Sequence, residues 1–99
     1  GVSGLRLQGF EEGGPENQWI GFSQFLPGGG AGPDSTPFEK VYVVLEGEIT
    51  IEWNGQTEVL RALDSCTIPG GQERRIENKS NHICKMRVVI PYREGGRPN

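Results

Sequence analysis

The chain has 99 residues, 33% of them hydrophobic and 23% charged, with a formal net charge of −3. That length holds one domain with a small core, and the acidic balance excludes nucleic-acid binding through a basic surface. The longest apolar run, 41–45, is far short of the roughly 20 residues of a membrane span.

Sixteen glycines and seven prolines leave little room for long helices and favour short strands joined by turns. Residues 1–16 are Gly-rich and acidic, an N-terminal arm in which Leu5 and Leu7 can pair as an edge strand. Residues 17–26 carry Trp19, Ile20, Phe22, Phe25 and Leu26 and read as a strand. Residues 27–33 (PGGGAGP) then form a flexible loop. The strongest strand is 40–45, rich in β-branched and aromatic residues and broken by Gly47. Residues 48–53 alternate, with Ile49, Ile51 and Trp53 on one face and Glu48, Thr50 and Glu52 on the other. Asn54-Gly55 follows, a strong hairpin signal, and 57–62 is the return strand. Short strands at 65–68 and 74–77, a longer one at 82–90 and a polar tail at 93–99 complete the pattern.

Seven or eight short strands with frequent turns predict an all-β sandwich or barrel spanning 17–92. On 40–45, Lys40, Tyr42 and Val44 share one face and Val41, Val43 and Leu45 the other. Apolar residues on both faces require cover on both, which predicts a homodimer. Cys66 and Cys84 form no zinc-type pair and suit free thiols in a reducing compartment. No charged-then-apolar signal segment opens the sequence, so the expected location is cytoplasmic and the Asn78-Lys79-Ser80 triplet is read as chance.

Two stretches resemble a known family. Asp34-Ser-Thr-Pro-Phe-Glu-Lys-Val-Tyr-Val-Val-Leu-Glu-Gly47-Glu48 is similar to the first motif of the cupins. Ile68-Pro69-Gly-Gly71-Gln-Glu-Arg74-Arg-Ile-Glu-Asn78 is similar to the second. Pro69, Gly71 and Asn78 fall on fixed positions of that second motif, and Leu63 stands where a glycine usually precedes Asp64. The resemblance implies a double-stranded β-helix of jelly-roll topology over residues 20–92.

It also implies a changed site. Metal-dependent cupins place two His and a Glu in the first motif and another His in the second. Aligned without gaps, Asp34 and Thr36 stand at the two His positions, Lys40 at the Glu and Arg74 at the last His. Two cations at metal-ligand positions oppose a bound cation, so the expectation is no metal and no cofactor. Shifting by one residue brings in Glu39 beside Asp34 as oxygen ligands, but alternation turns Glu39 away from Lys40.

The resemblance implies that Asp34, Thr36, Lys40 and Arg74 converge inside one end of the barrel, joined by Tyr42. In one reading Asp34 pairs with Lys40 and Arg74 and the network fills the space a metal left. In the other, the net charge of +1 in a buried site requires an anion: Arg74 and Thr36 bind a small carboxylate-type molecule, while Lys40, Asp34 and Tyr42 serve proton transfer. The first describes a non-catalytic binding or structural module, the second a metal-independent lyase or isomerase. Trp19 and Trp53 are assigned to core or interface, His82 to solvent, and the Gly28–Gly30 run to a mobile loop at the barrel mouth.

Overall fold

The computed structural model describes residues 2–8 and 18–91. Among them run nine strands: β1 (Val2–Gln8), β2 (Gln18–Phe25), β3 (Gly30–Asp34), β4 (Lys40–Glu46), β5 (Glu48–Trp53), β6 (Gln56–Arg61), β7 (Ser65–Ile68), β8 (Arg74–Glu77) and β9 (Cys84–Pro91). They form two antiparallel sheets, one in the order β1-β2-β9-β4-β7 and the other β3-β8-β5-β6. This is the all-β jelly-roll sandwich that the strand pattern requires.

Alternation places the core. Tyr42 and Val44 of β4, Ile49 and Ile51 of β5, and Met86 and Val88 of β9 face inward with Phe25, Leu60, Ile68, Ile76 and Cys84. Each large side chain among these contributes about 1.5–3 kcal/mol by leaving water. The outer face of β4 is only half covered: Val41 and Val43 are half-buried and Leu45 is exposed. Asn54 and Gly55, with φ of 51° and 73°, make the tight β5–β6 turn that Asn-Gly favours. Leu63 has φ 73° and is 84% exposed, so the chain keeps the glycine-type backbone where the family's glycine is missing.

The glycine-rich segment differs from expectation. Residues 30–34 are strand β3, not loop, paired with β8 through Gly30↔Glu77 and Ala31↔Ile76. The two backbones lie so close that a Cβ on Gly32 would sit 2.6 Å from the Arg74 carbonyl oxygen. Absence of side chains is what permits this pairing, so it leaves no apolar pattern to read. The turn before it is tied down too. Gly28 N–H donates to the Asn78 carbonyl and Asn78 N–H to the Gly29 carbonyl, both at 2.8 Å. A segment expected to be mobile is thus fastened to the end of β8.

Candidate functional site

One end of the sandwich collects the end of β3, the start of β4, the β5–β6 hairpin and the loop 69–73 leading into β8. That loop is held by backbone contacts. Gly71 N–H donates to the Thr36 carbonyl at 2.6 Å, and a Cβ on Gly70 would meet the Pro37 carbonyl. Arg74, first residue of β8, stands opposite Asp34 on one side and Trp53 on the other, and Arg74 and Trp53 project to the inner side of the sheet.

From the facing sheet β4 brings Lys40 and Tyr42, only 3% and 2% exposed. Arg74 Nε donates to the Tyr42 hydroxyl oxygen at 2.8 Å, bridging the two sheets. Among the described residues Arg74 Nη1 is buried with no acceptor. It lies close over Gly32, where an added Cβ would sit 3.0 Å away. Burial lowers the pKa of the Lys40 ammonium; the positive charge of Arg74 lowers it further and Asp34 opposes both. Burial also raises the Tyr42 phenol, while Arg74 pulls it back through charge and hydrogen bond. The phenol therefore stays protonated near neutral pH.

Three of the five expected site residues thus come together: Lys40, Tyr42 and Arg74. Asp34 is exposed at the rim, where its Oδ1 accepts from Ser35 N–H at 2.8 Å. The two ion pairs among the described residues, Arg61–Glu48 and Lys85–Glu46, lie elsewhere on the surface. The closed Asp34–Lys40–Arg74 ion-pair network is therefore not formed. A register shift in the β3–β8 ladder between Ala31 and Asp34 accompanies the outward placement of Asp34. Thr36 is half-buried and its hydroxyl donates to the Phe38 carbonyl at 2.9 Å, within its own turn.

These residues do not fit a metal. Lys40 and Arg74 put two positive charges where the family's ligands stand, and Glu39 is exposed ahead of β4. Among the described residues no group of three or more His, Cys, Asp or Glu side chains gathers.

Beside the cluster opens a polar groove of about 560 Å³, with Arg74 on its wall alongside Trp53, Asn54, Gln56, Gln72 and Glu73. Lys40 and Tyr42 are not on that wall. Trp53 packs on the core with one side and borders the groove with the other, a position that its assignment to core or interface did not include. The available signal was register: Trp53 ends the inward series Ile49, Ile51, Trp53 at the barrel mouth. At the other end of β5, a depression of about 400 Å³ is lined by Gly47, Glu48, Arg61, Ala62, Ser80 and exposed His82, without a comparable buried cation.

Comparison with known proteins supports the architecture. The protein named Beta-D-galactosidase Rv1717, from Mycobacterium tuberculosis (strain ATCC 25618 / H37Rv), is 41% identical over 91 residues, covering 92% of this chain and 78% of its own. Among solved structures, the polyketide cyclase RemF from Streptomyces resistomycificus superposes with a TM-score of 0.82 at 22% identity, covering 97% of this chain and 69% of that one. A cupin superfamily protein from Desulfitobacterium hafniense DCB-2 superposes with a TM-score of 0.79 at 20% identity, covering 92% and 77%. At these identities the two structures speak to the fold alone. The family model for the cupin domain matches residues 21–91, and with the fold and both motif stretches in place, this chain belongs to the cupin family.

Proposed function

We propose that the barrel mouth is an anion site in a metal-independent cupin and takes a small carboxylate-bearing molecule. The observation that carries this reading is the buried Nη1 of Arg74, a donor without an acceptor among the described residues. Such an orphan costs about 1–3 kcal/mol, which a ligand oxygen relieves. Tyr42 fixes the guanidinium through Nε, and Nη1 is left without an acceptor. Lys40 adds a second positive charge that no described carboxylate neutralises in an ion pair. In this reading proton transfer belongs to the remaining groups of the cluster, which lie beside the groove and not on its wall. Lys40, with its lowered pKa, is the base, Tyr42 the acid, and Asp34 an alternative base at the rim. That chemistry is isomerisation or elimination.

A second reading rests on the mycobacterial relative and its name. Glycoside hydrolysis requires a carboxylic acid and a carboxylate on either side of the scissile bond. Glu52 and Glu73 line the groove and Asp34 is exposed at the end of β3, so carboxyl groups are present.

One set of measurements separates the readings. The melting temperature should rise by several degrees with saturating small acids, and Arg74→Met should abolish the rise. The absence of a shift from any acid overturns the anion site. Release of nitrophenolate from a nitrophenyl β-D-galactoside, surviving in Arg74→Met but lost in Glu73→Gln or Asp34→Asn, replaces it with the hydrolytic reading.

The half-covered outer face of β4 continues across the sheet. Val41 pairs with Val89, which pairs with Ile20, all three half-buried. We propose that a second copy covers this row. Light scattering should then give twice the 10.9 kDa of the chain, and Val41→Lys should reduce it to one.

A further inference from the structure

We infer that the carboxylate-bearing molecule is a saccharide acid of the hexuronate type, its ring in the groove beside Arg74 and its carboxylate on the guanidinium. The inference rests on the anion reading above and names its ligand class.

The groove, at about 560 Å³, is far larger than a bare carboxylate or phosphate needs and lies in the range of pockets for whole small molecules. Its wall holds one aromatic, Trp53, among amides and charged groups: Asn54, Gln56, Gln72, Glu73 and Arg74. A flat apolar ligand would find too little apolar surface there. Glu52 and Glu73 balance Arg74 and Arg75 on that wall, so it offers no surplus of positive charge for a polyanion. A sugar ring suits both features. Its C–H face packs on an indole, whose face carries partial negative charge. Its equatorial hydroxyls donate and accept, matching amide and carboxylate side chains that present two polar atoms in one plane.

Register supplies the geometry. Trp53 and Arg74 are direct partners in the β5–β8 ladder, and such side chains start about 5 Å apart on one face of a sheet. In a hexuronate the carboxylate is one bond off the ring. A ring seated against Trp53 therefore brings its carboxylate to Arg74 without a linker. A neutral hexose would leave Arg74 Nη1 unpaired, and a short acid would leave Trp53 and the amides unused.

Affinities of the purified full chain for D-galacturonate, D-glucuronate, D-galactose and acetate, measured by calorimetry and by quenching of tryptophan emission, test this. One or both hexuronates should bind at least tenfold more tightly than acetate and than galactose. Gln72→Ala and Trp53→Phe should each weaken hexuronate binding about fivefold or more and leave acetate unchanged. Gln72 lies in the loop 69–73 outside the hydrophobic core, so that variant keeps the test open if Trp53→Phe loosens the fold. Acetate and hexuronates binding alike overturns the saccharide inference and leaves the anion site standing. Galactose binding as tightly as both hexuronates, unaffected by Arg74→Met, overturns the anion site and the saccharide acid with it. No binding by any of the four overturns the inference as well.

Discussion

Asn78→Ala is expected to lower the stability of this protein by about 3 kcal/mol or more. The side chain is fully buried. Its Nδ2 donates to the Phe25 carbonyl at 3.0 Å and the His82 carbonyl at 2.7 Å. Its Oδ1 accepts from Ser80 N–H at 3.0 Å and the Ser80 hydroxyl at 2.7 Å. One amide therefore joins the end of β2 to the turn before β9. Alanine takes the side-chain donor from the Phe25 carbonyl, and each buried acceptor left unpaired costs about 1–3 kcal/mol. For a domain of this size the melting temperature should fall by more than about 10 °C. Asn78→Asp is the sharper test. At neutral pH it sets a carboxylate against two carbonyl oxygens, so it should be at least as damaging as alanine. It should recover part of the loss when acid protonates it. A loss below about 1 kcal/mol for Asn78→Ala, by urea unfolding, would mean that water satisfies these groups. The consequence reaches the site, because the same residue's backbone fastens the 28–29 turn that leads into β3, whose last residue, Asp34, faces Arg74.

The legible parts of the fold were those written in side chains. Alternation along β4 placed Lys40, Tyr42 and Val44 on the buried face, and the Asn54-Gly55 turn fixed the β5–β6 register. β3 was not legible because its pairing depends on what its glycines lack: close approach to β8 leaves no period-2 pattern. The site divides along the same line. Lys40, Tyr42 and Arg74 follow from motif spacing combined with alternation. The rim position of Asp34 and the turn contact of Thr36 depend on a register shift and a local hydrogen bond, and neither has a residue signature. Trp53 needed a cross-strand partner to be recognised: a tryptophan closing an apolar series reads as core until its neighbour proves to be an arginine at the barrel mouth.

Lys40→Met is expected to stabilise the folded protein by about 1–4 kcal/mol, the range seen when buried charges yield to apolar groups of similar volume. Lys40 as a residue is 3% exposed, and Asp34, its expected counter-charge, is exposed at the rim. Arg74→Met should act oppositely, because it takes the hydrogen-bond donor from the buried Tyr42 oxygen. The pH dependence has a definite sign. Folding lowers the Lys40 pKa from its ordinary 10.5, so the unfolded chain holds this proton to higher pH than the folded one. Stability of the parent should therefore gain from this group as pH rises from the lowered value towards 10.5. Tyr42, whose pKa is raised above 10, works the other way above pH 10 in both proteins. The Lys40 contribution is thus read from the difference between the parent and Lys40→Met, which should shrink as pH rises. Destabilisation by more than about 1 kcal/mol in Lys40→Met would show that Asp34 closes a neutral network with Lys40 in solution, and the mouth would then be structural fill. The expected gain has the opposite meaning. A cation held in the barrel at a cost to folding, beside an arginine whose donor has no partner among the described residues, is what the proposed anion site requires.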